Sequence, residues 1–285
     1  MSAASTSCDL MMPKHRTRSV GSTFAAMTAT TAVDVKRDVA MANRVLWATG
    51  LCTGVTASLG HASLRLPDRP DRFLVKGRGY AMDALAAMRP EDMVTCDLDG
   101  NLVDGPPGAT QCFEVKMHSW IYKLYPEVQS VVHVHPRFTI LMSTLGRTLK
   151  PMCQEGIELV ARPLPMYPHV KTVVNDAEGE AVARLIGGYQ AVLLQGHGAT
   201  TTGASLEQAV MNMLQLEEQA RMNYQALSAV GPDYPSLPQA LIDEVRNRPP
   251  MSELPHFRES FARASGQPRT GGVWQYYMAL VAQDL

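Results

Sequence analysis

The chain has no long hydrophobic run, no surplus of charge of either sign and few cysteines for its 285 residues. No apolar segment approaches the roughly 18 to 20 residues that a membrane-spanning helix requires. The formal net charge of −1 provides no global basic field for nucleic acid. We therefore expect neither a membrane nor a nucleic acid as a partner.

The five cysteines are odd in number and widely spaced, and no C-x-x-C pair occurs. This pattern suggests neither a disulfide framework nor a zinc ribbon. It indicates reduced thiols and predicts a cytoplasmic protein. The five residues are Cys8, Cys52, Cys96, Cys112 and Cys153.

The N-terminal segment, residues 1–33, lacks the hydrophobic block of a secretory signal. Its content of Ser, Thr and Ala with a few basic residues fits a transit peptide or a translation start placed too early. We expect a disordered N-terminal extension instead. The whole chain, with 46% hydrophobic and 19% charged residues, is typical of a globular protein.

Residues 34–230 alternate between predicted strands and predicted helices, which indicates a layered α/β domain. Asn175 and Ser205 are predicted N-caps of two helices. Thr110 is predicted to cap a helix that runs to about Tyr125. Residues 231–285 are rich in proline and form a predicted C-terminal extension, whose aromatic end docks either on a neighbouring subunit or on its own core.

Two histidines alternate with valines in the segment Val131-Val132-His133-Val134-His135. In an extended strand both imidazoles point to the same side. Neutral imidazole is a common ligand of zinc, manganese and iron. The alternative is a pair of ordinary histidines in the core or on the surface.

A carboxylate and a third histidine strengthen the metal interpretation. Glu114 lies upstream, and His197 follows an apolar strand within a glycine-flanked turn, where glycine permits close approach of the backbone. Three histidines and one carboxylate can hold a catalytic divalent cation and leave room for a substrate oxygen. The alternative for Glu114 is a surface glutamate. His118, one helical turn from Glu114, is better explained as a packed residue or a partner of a ligand than as a ligand.

The order of these motifs resembles the class II aldolase/adducin family of metal-dependent lyases over about residues 35–230. The motifs are Glu114-x3-His118, His133-Val134-His135 and Gln195-Gly196-His197-Gly198. The resemblance implies a three-layer α/β/α domain over residues 34–230, with a central and mainly antiparallel sheet.

The resemblance also implies the composition of the site. Glu114, His133, His135 and His197 would bind a divalent metal ion, with zinc or manganese preferred to iron. Glu114 would in addition act as the general acid and base. Family members commonly form homotetramers, so a homotetramer is expected here.

Two positions depart from the family members that cleave sugar phosphates. His61 stands where those enzymes have an asparagine, and Cys112 and Phe113 replace two hydroxyl residues that grip phosphate. The departures argue against a phosphorylated substrate. A phenylalanine at the mouth favours a flat, apolar or aromatic substrate.

Further side chains are predicted to bind or transform the substrate. Lys76 and Arg78 are suited to a substrate carboxylate, with a solvated turn as the alternative. Together with His61 and Phe113 they form the predicted substrate-binding set. Tyr167 and His169, on a proline-punctuated run from which the family often reaches its substrate, are predicted catalytic residues. The alternative for this run is a rigid connector.

The predicted function is a metal-dependent carbon–carbon lyase that decarboxylates a small, non-phosphorylated, hydroxylated aromatic or similar carboxylic acid, in aromatic compound catabolism. A metal ion that stabilises enolate-like charge serves decarboxylation and retro-aldol cleavage equally, so the ligands alone do not separate the two. The alternatives are a retro-aldolase for a hydroxy-oxo acid, a non-haem iron oxygenase and a non-catalytic adducin-like scaffold.

Overall fold

A computed structural model describes residues 32–263 and 271–282. The predicted disorder of residues 1–31, and Cys8 with them, lies outside these residues, whereas residues 32 and 33, also assigned to the predicted extension, begin the first helix. The described residues form one compact unit. Within the described ranges, no helix has the length and apolar character needed to cross a membrane.

One mixed sheet forms the centre of the domain, with the strand order β4-β3-β2-β1-β6-β9-β8-β7 and with β5 paired to β2. All neighbouring strands are antiparallel except β7 and β8. The strands are β1 (His61–Leu66), β2 (Arg69–Arg78), β3 (Met93–Asp97), β4 (Leu102–Asp104), β5 (Thr110–Gln111), β6 (Ser130–Val134), β7 (Met166–Tyr167), β8 (Ala191–Leu194) and β9 (Gly198–Gly203).

Helices follow and cover the strands. They are α1 (Ala32–Ala48), α2 (Val115–Leu124), α3 (Arg137–Thr144), α4 (Ile157–Val160), α5 (Asp176–Ile186), α6 (Leu206–Val230), α7 (Gln239–Arg246), α8 (Pro255–Arg263) and α9 (Gly272–Val281). Short 3-10 turns occupy Gly54–Thr56, Leu85–Ala87, Pro90–Asp92 and Met251–Glu253.

Alternation along the central strand β6 divides the core between the two faces of the sheet. Val132 and Val134 belong to the cluster formed with α1, α6 and α9, whereas Val131 belongs to the cluster formed with α2 and α5. His133 has the same parity as Val131, so its imidazole lies on the α2 side. The predicted three layers are present, and the side of the sheet that faces α2 receives the functional side chains.

The C-terminal helix α9 packs against α1 of the same chain. Trp274 and Val281 are buried in the core cluster that contains α1, and the Arg44 guanidinium donates a hydrogen bond to the Val281 carbonyl at 3.3 Å. Docking on its own core was one of the two expected outcomes for this segment. Contact of the same segment with a neighbouring subunit stays a prediction.

The predicted start of α2 at Thr110 is wrong. Thr110 and Gln111 form β5, opposite Arg78 and Gly77 of β2, and the helix begins at Val115 with Glu114 as the flanking residue. Pairing with a distant strand outweighs the local capping preference of a threonine. Glu114 therefore sits at the N-terminus of α2 rather than inside the helix.

Candidate metal centre

The central strands position His133 and His135. His133 lies in β6, opposite His61 of β1 and Thr200 of β9, and its side chain is fully buried. His135 follows directly after the end of β6 and is partly exposed. His133 and His135 therefore reach the same side of the sheet, as the alternation of the sequence predicts.

The turn between β8 and β9 brings His197 to the same place. Gly196 adopts a left-handed conformation with φ of +66°, and the His197 amide donates to the Leu194 carbonyl at 3.0 Å. Gly198 has no room for a side chain, because a Cβ atom there would lie 2.3 Å from the Val134 carbonyl oxygen. The two glycines thus allow the turn to close over the end of β6.

Glu114 completes a group of four side chains. Its Oε2 lies 3.1 Å from Nε2 of His133, and its Oε1 lies 3.5 Å from Nε2 of His197. Oε1 also accepts a hydrogen bond from the Val173 amide at 3.2 Å. One ligand atom from each of Glu114, His133, His135 and His197 lies within 4.8 Å of the others. The four predicted ligands are therefore close together.

The electrostatics of this group keep the carboxylate charged and two of the imidazoles neutral. Burial, together with His133, lowers the pKa of His135 to about 3 and that of His197 to about 4. Burial alone would raise the pKa of Glu114, but His133, His61 and His197 outweigh it and lower this pKa below its usual range. A neutral imidazole and an ionised carboxylate are the protonation states that bind metal ions.

The donor atoms fit a divalent cation. The Nε2 atoms of His133 and His135 face each other at 3.2 Å. Thr200 Oγ1 donates to the Met117 sulfur at 2.9 Å, so it accepts from His133 Nδ1 at 3.1 Å, and this bond orients the ring with Nε2 directed at the centre. Three imidazole nitrogens and one carboxylate suit zinc, manganese or iron. His197 Nδ1, which is buried, has no hydrogen-bond partner among the described residues.

His61 and His118 form a second group behind the first. The Nδ1 of His61 lies 2.7 Å from Nε2 of His118, and Nε2 of His61 lies 3.9 Å from Oε2 of Glu114. Burial lowers the pKa of His61 well below its usual range, and the neighbouring His118 and His133 lower it further. His61 therefore borders the four-residue group, and His118 lies behind His61, within electrostatic range of His133 and Glu114.

The predicted basic pair is only partly a surface feature. The Lys76 side chain is 1% exposed, and its ammonium contacts Asp83 at 2.5 Å and the Ser58 carbonyl at 3.1 Å. Arg78 is 22% exposed, lies 3.3 Å from Asp83, and stacks over the Phe113 ring at 4.4 Å from its centroid. The solvated turn considered as the alternative is wrong for Lys76, because this lysine is buried in β2.

Tyr167 and His169 lie beside the turn that carries His197. The Gln195 amide donates to the Tyr167 carbonyl at 2.9 Å, and the rings of Tyr167 and His169 are 4.8 Å apart. The Tyr167 side chain is buried and His169 is exposed. In the described part of the chain, neither side chain has a hydrogen bond or ring contact with the four-residue group.

An open cleft of about 1000 Å³ extends from His135. The cleft lies between residues 53–56 and helices α3 and α6, and Arg137 and Arg221 are among its lining residues. A volume of this size accommodates a small organic acid. The four-residue group is thus accessible from this side at His135.

Sequence reasoning missed several partners of the predicted residues. Thr200 orients His133, Asp83 pairs with Lys76, and Ser63 and Tyr122 extend the contacts of His118. No local motif marks these residues, because each contact depends on how distant segments pack. The register of β6 against β9 is the one signal that would have identified Thr200.

Comparison with known proteins identifies the family. Residues 37–224 match the family model described as the class II aldolase and adducin N-terminal domain. The structure superposes on an L-fuculose 1-phosphate aldolase from Glaciozyma antarctica with a TM-score of 0.66, at 20% identity, covering 90% of this chain and 93% of the other. The chain belongs to the class II aldolase and adducin family and has its fold.

Two relatives in sequence are named 3,4-dihydroxyphthalate decarboxylase. The protein from Arthrobacter keyseri is 30% identical over 251 residues, which span 86% of this chain and 92% of the relative. The protein from Terrabacter is 32% identical over 201 residues, which span 68% and 81%. The chain is a lyase of the decarboxylase or aldolase kind, so the alternative of a non-catalytic scaffold is wrong. Class II aldolases depend on a divalent metal ion.

Proposed function

We propose that this chain is a metal-dependent decarboxylase of an ortho-hydroxylated aromatic carboxylic acid, with 3,4-dihydroxyphthalate as the first candidate substrate. The observation that carries the proposal is the convergence of Glu114, His133, His135 and His197 within 4.8 Å. The relatives named for this activity, which match over most of their own length, support the choice of substrate.

The metal ion is proposed to be zinc or manganese, held by these four residues. When bound, such an ion supplies a Lewis acid that stabilises negative charge on a substrate oxygen next to the bond that breaks. The chain's own contribution is to fix the donors, since Thr200 orients His133 and the Val173 amide holds Glu114. Iron remains the third choice because the same donor types also bind it.

Glu114 is proposed to move the proton. Its carboxylate takes the proton of the substrate phenol as the substrate binds, and returns it to the ring carbon. The bond between that carbon and the carboxylate breaks, its electron pair stays on the ring, and carbon dioxide leaves. The product departs as a phenolate that solvent reprotonates, so atoms and charge balance.

The substrate-binding set is proposed to be His61, Lys76, Arg78 and Phe113. The stacked Arg78 and Phe113 offer a flat surface with a cation for an aromatic carboxylate. Lys76 is buried and already paired with Asp83, so it supplies positive potential to the site while Arg78 makes the direct contact. Cys112 and Phe113 offer no hydroxyl to a phosphate, which supports a non-phosphorylated substrate.

Tyr167 and His169 are proposed to act from the neighbouring segment. Their backbone is tied to the turn that carries His197, so a substrate in the site would lie near this segment. His169, which is exposed, is the better placed of the two to exchange protons with solvent.

Three broader proposals accompany the activity. Catabolism of aromatic compounds is supported by the names of the decarboxylase relatives. A cytoplasmic location is supported by Cys52, Cys96 and Cys112, which are unpaired and buried. A homotetramer is proposed from the family resemblance, and light scattering of the purified protein tests it.

Product analysis tests the proposed function. The protein, stripped with a chelator and reloaded with zinc or manganese, is incubated with 3,4-dihydroxyphthalate, and the product acid and carbon dioxide are measured. We expect one carbon dioxide per monocarboxylic acid formed. Formation of pyruvate or an aldehyde from hydroxy-oxo acids, without decarboxylation, would favour the retro-aldolase instead, and oxygen uptake dependent on iron(II) would favour the oxygenase.

A further inference from the structure

A continuous chain of hydrogen bonds runs through the core and ends beside the metal centre. Tyr122 Oη lies 2.7 Å from Ser63 Oγ, which lies 2.7 Å from His118 Nδ1, and His118 Nε2 lies 2.7 Å from His61 Nδ1. All four side chains are buried. These three hydrogen bonds connect α2 with β1 and join residues that are 55 to 59 positions apart in sequence.

The available acceptors determine which atom donates in each hydrogen bond of this series, beginning at Tyr122. Burial raises the pKa of Tyr122 above its usual value, so the phenol keeps its proton and must donate it. The Ser63 oxygen at 2.7 Å is a far better acceptor than the Gln129 carbonyl at 3.5 Å. Ser63 in turn has His118 Nδ1 at 2.7 Å and the Val131 carbonyl only at 3.4 Å, so its proton goes to His118.

The direction then continues to His61. His118 accepts at Nδ1 and, as a neutral imidazole, carries its proton on Nε2, which donates to Nδ1 of His61. His61 consequently carries its own proton on Nε2, the nitrogen that lies 3.9 Å from Glu114 Oε2. The reverse direction would point a lone pair of His61 at the Glu114 carboxylate, which is electrostatically unfavourable. Among the described residues, His61 Nε2 has no hydrogen-bond partner.

A second metal ion is the competing explanation for this group. Atoms of His61, Cys112 and His118 lie within 4.8 Å of one another. Two imidazole nitrogens on one tetrahedral zinc ion are about 3.3 Å apart, whereas His61 and His118 approach to 2.7 Å, the distance of a hydrogen bond. Burial also raises the pKa of the Cys112 thiol, which disfavours the thiolate that a metal needs.

We propose that Ser63 and His118 are positioning residues that fix His61 as a hydrogen-bond donor, with Nε2–H directed at the substrate carboxylate in the metal centre. The proposal rests on the proposed function for the identity of that carboxylate. The proposal explains what His61 gains over the asparagine that the sugar-phosphate aldolases have at this position. An amide can rotate to present either its oxygen or its nitrogen, whereas this histidine presents only a donor.

The arrangement of protons is measured directly by nuclear magnetic resonance. Full-length protein with nitrogen-15-labelled histidine is loaded with zinc, and the long-range proton–nitrogen couplings identify the tautomer of each ring. We expect His61 and His118 both to be neutral with the proton on Nε2. A proton on Nδ1 of either ring, or a second equivalent of zinc that disappears in a His118 variant, would overturn the proposal.

Two substitutions of His118 by side chains of similar length distinguish a role in positioning His61 from a role in packing alone. His118→Gln keeps a donor that can reach His61 Nδ1, whereas His118→Met fills the same space without one. With 2-hydroxybenzoate as the probe for calorimetric binding to the zinc-loaded protein, we expect His118→Met to weaken binding about tenfold or more, the size of one hydrogen bond to a charged group. His118→Gln should stay within about threefold of the wild type.

Ser63→Ala provides an independent variant, with Ser119→Ala as its control. Ser63→Ala removes the donor to His118 Nδ1, so we expect His118 and His61 to lose their single tautomer and binding of 2-hydroxybenzoate to weaken. Ser119 is also buried, and among the described residues its hydroxyl donates to the Lys116 carbonyl within α2, so Ser119→Ala should leave the tautomers unchanged. Equal losses in the Gln and Met variants of His118, or wild-type protein that fails to bind the probe, would contradict the proposal.

These readouts are independent of turnover. If no acid is decarboxylated but both rings carry the proton on Nε2 and the variants differ as expected, the proposed function fails alone. If carbon dioxide is released but the tautomers are reversed, the positioning role fails alone.

Discussion

At the scale of single residues, the domain buries several imidazoles close to one another. His61, His118, His133 and His197 are all buried, and they share a single carboxylate, Glu114. Burial lowers the pKa of His61, His118 and His197, so these three rings remain neutral and offer a lone pair to a metal ion or to a hydrogen bond. The folded protein therefore disfavours protonation of these three residues in acid.

The lowered pKa of His118 makes the free energy of unfolding of the metal-free protein depend on pH. Burial, with a contribution from His133, lowers its pKa from 6.5 to about 3. As the pH falls below 6.5, the unfolded chain binds a proton at this residue while the folded protein does not, so stability is fully present above pH 6.5 and is lost toward pH 3.

Replacement of His118 should therefore reduce the acid sensitivity. In His118→Gln, the free energy of unfolding should fall less steeply between pH 6.5 and pH 4, by up to about 1.4 kcal/mol per pH unit. Urea unfolding at a series of pH values, after removal of metal with a chelator, measures this slope. His256→Gln, which alters an exposed histidine of α8, should keep the wild-type slope, and a parallel shift of both curves would refute the prediction.

At the scale of elements, the site depends on how closely β6 and the β8–β9 turn approach each other. Gly198 allows this approach, since a Cβ atom would lie 2.3 Å from the Val134 carbonyl oxygen and 3.2 Å from the His135 Cα. Both neighbours belong to the backbone, so neither can move without displacing the strand that carries His133. The glycine therefore affects stability and metal binding together.

Gly198→Ala is expected to displace β9 from the end of β6. The free energy of unfolding should fall by about 1 to 3 kcal/mol, the usual cost of overpacking, and zinc should bind more weakly because His197 moves with the turn. Thermal unfolding with and without zinc measures both effects. Gly272→Ala is the control, because a Cβ atom at the start of α9 meets no other atom within 4 Å, and equal behaviour of the two variants would disprove the account.

Local signals were reliable for some elements and failed for others. The predicted caps are confirmed, since Asn175 accepts a hydrogen bond from the Glu178 amide and Ser205 from the Gln208 amide. Thr110 carries a similar local signal, yet it pairs with Arg78 in a strand. The information that decides between these outcomes lies in a segment thirty residues away, which no local pattern contains.

At the scale of the whole molecule, three separate segments supply the four candidate ligands. The order of the motifs was enough to predict which residues lie close together, because members of one family share a fold and place matching motifs at matching positions. It was not enough to predict the partners Ser63, Tyr122, Thr200 and Asp83, which depend on the register of the sheet and the seating of α2. The fold was thus predictable to the level of layers, and the site to the level of its metal-binding motif.

Metal analysis of the intact protein tests the central claim, that these four side chains hold one divalent ion. Wild-type protein, His133→Ala and the control His256→Ala are reloaded with zinc, freed of excess metal and analysed by mass spectrometry, with thermal unfolding in parallel. The account predicts one zinc per chain in the wild type and the control, stabilised by about 2.7 kcal/mol when zinc is at a hundred times its dissociation constant. It predicts no bound zinc and no such stabilisation in His133→Ala at the same zinc concentration, and full retention of zinc in that variant would contradict it.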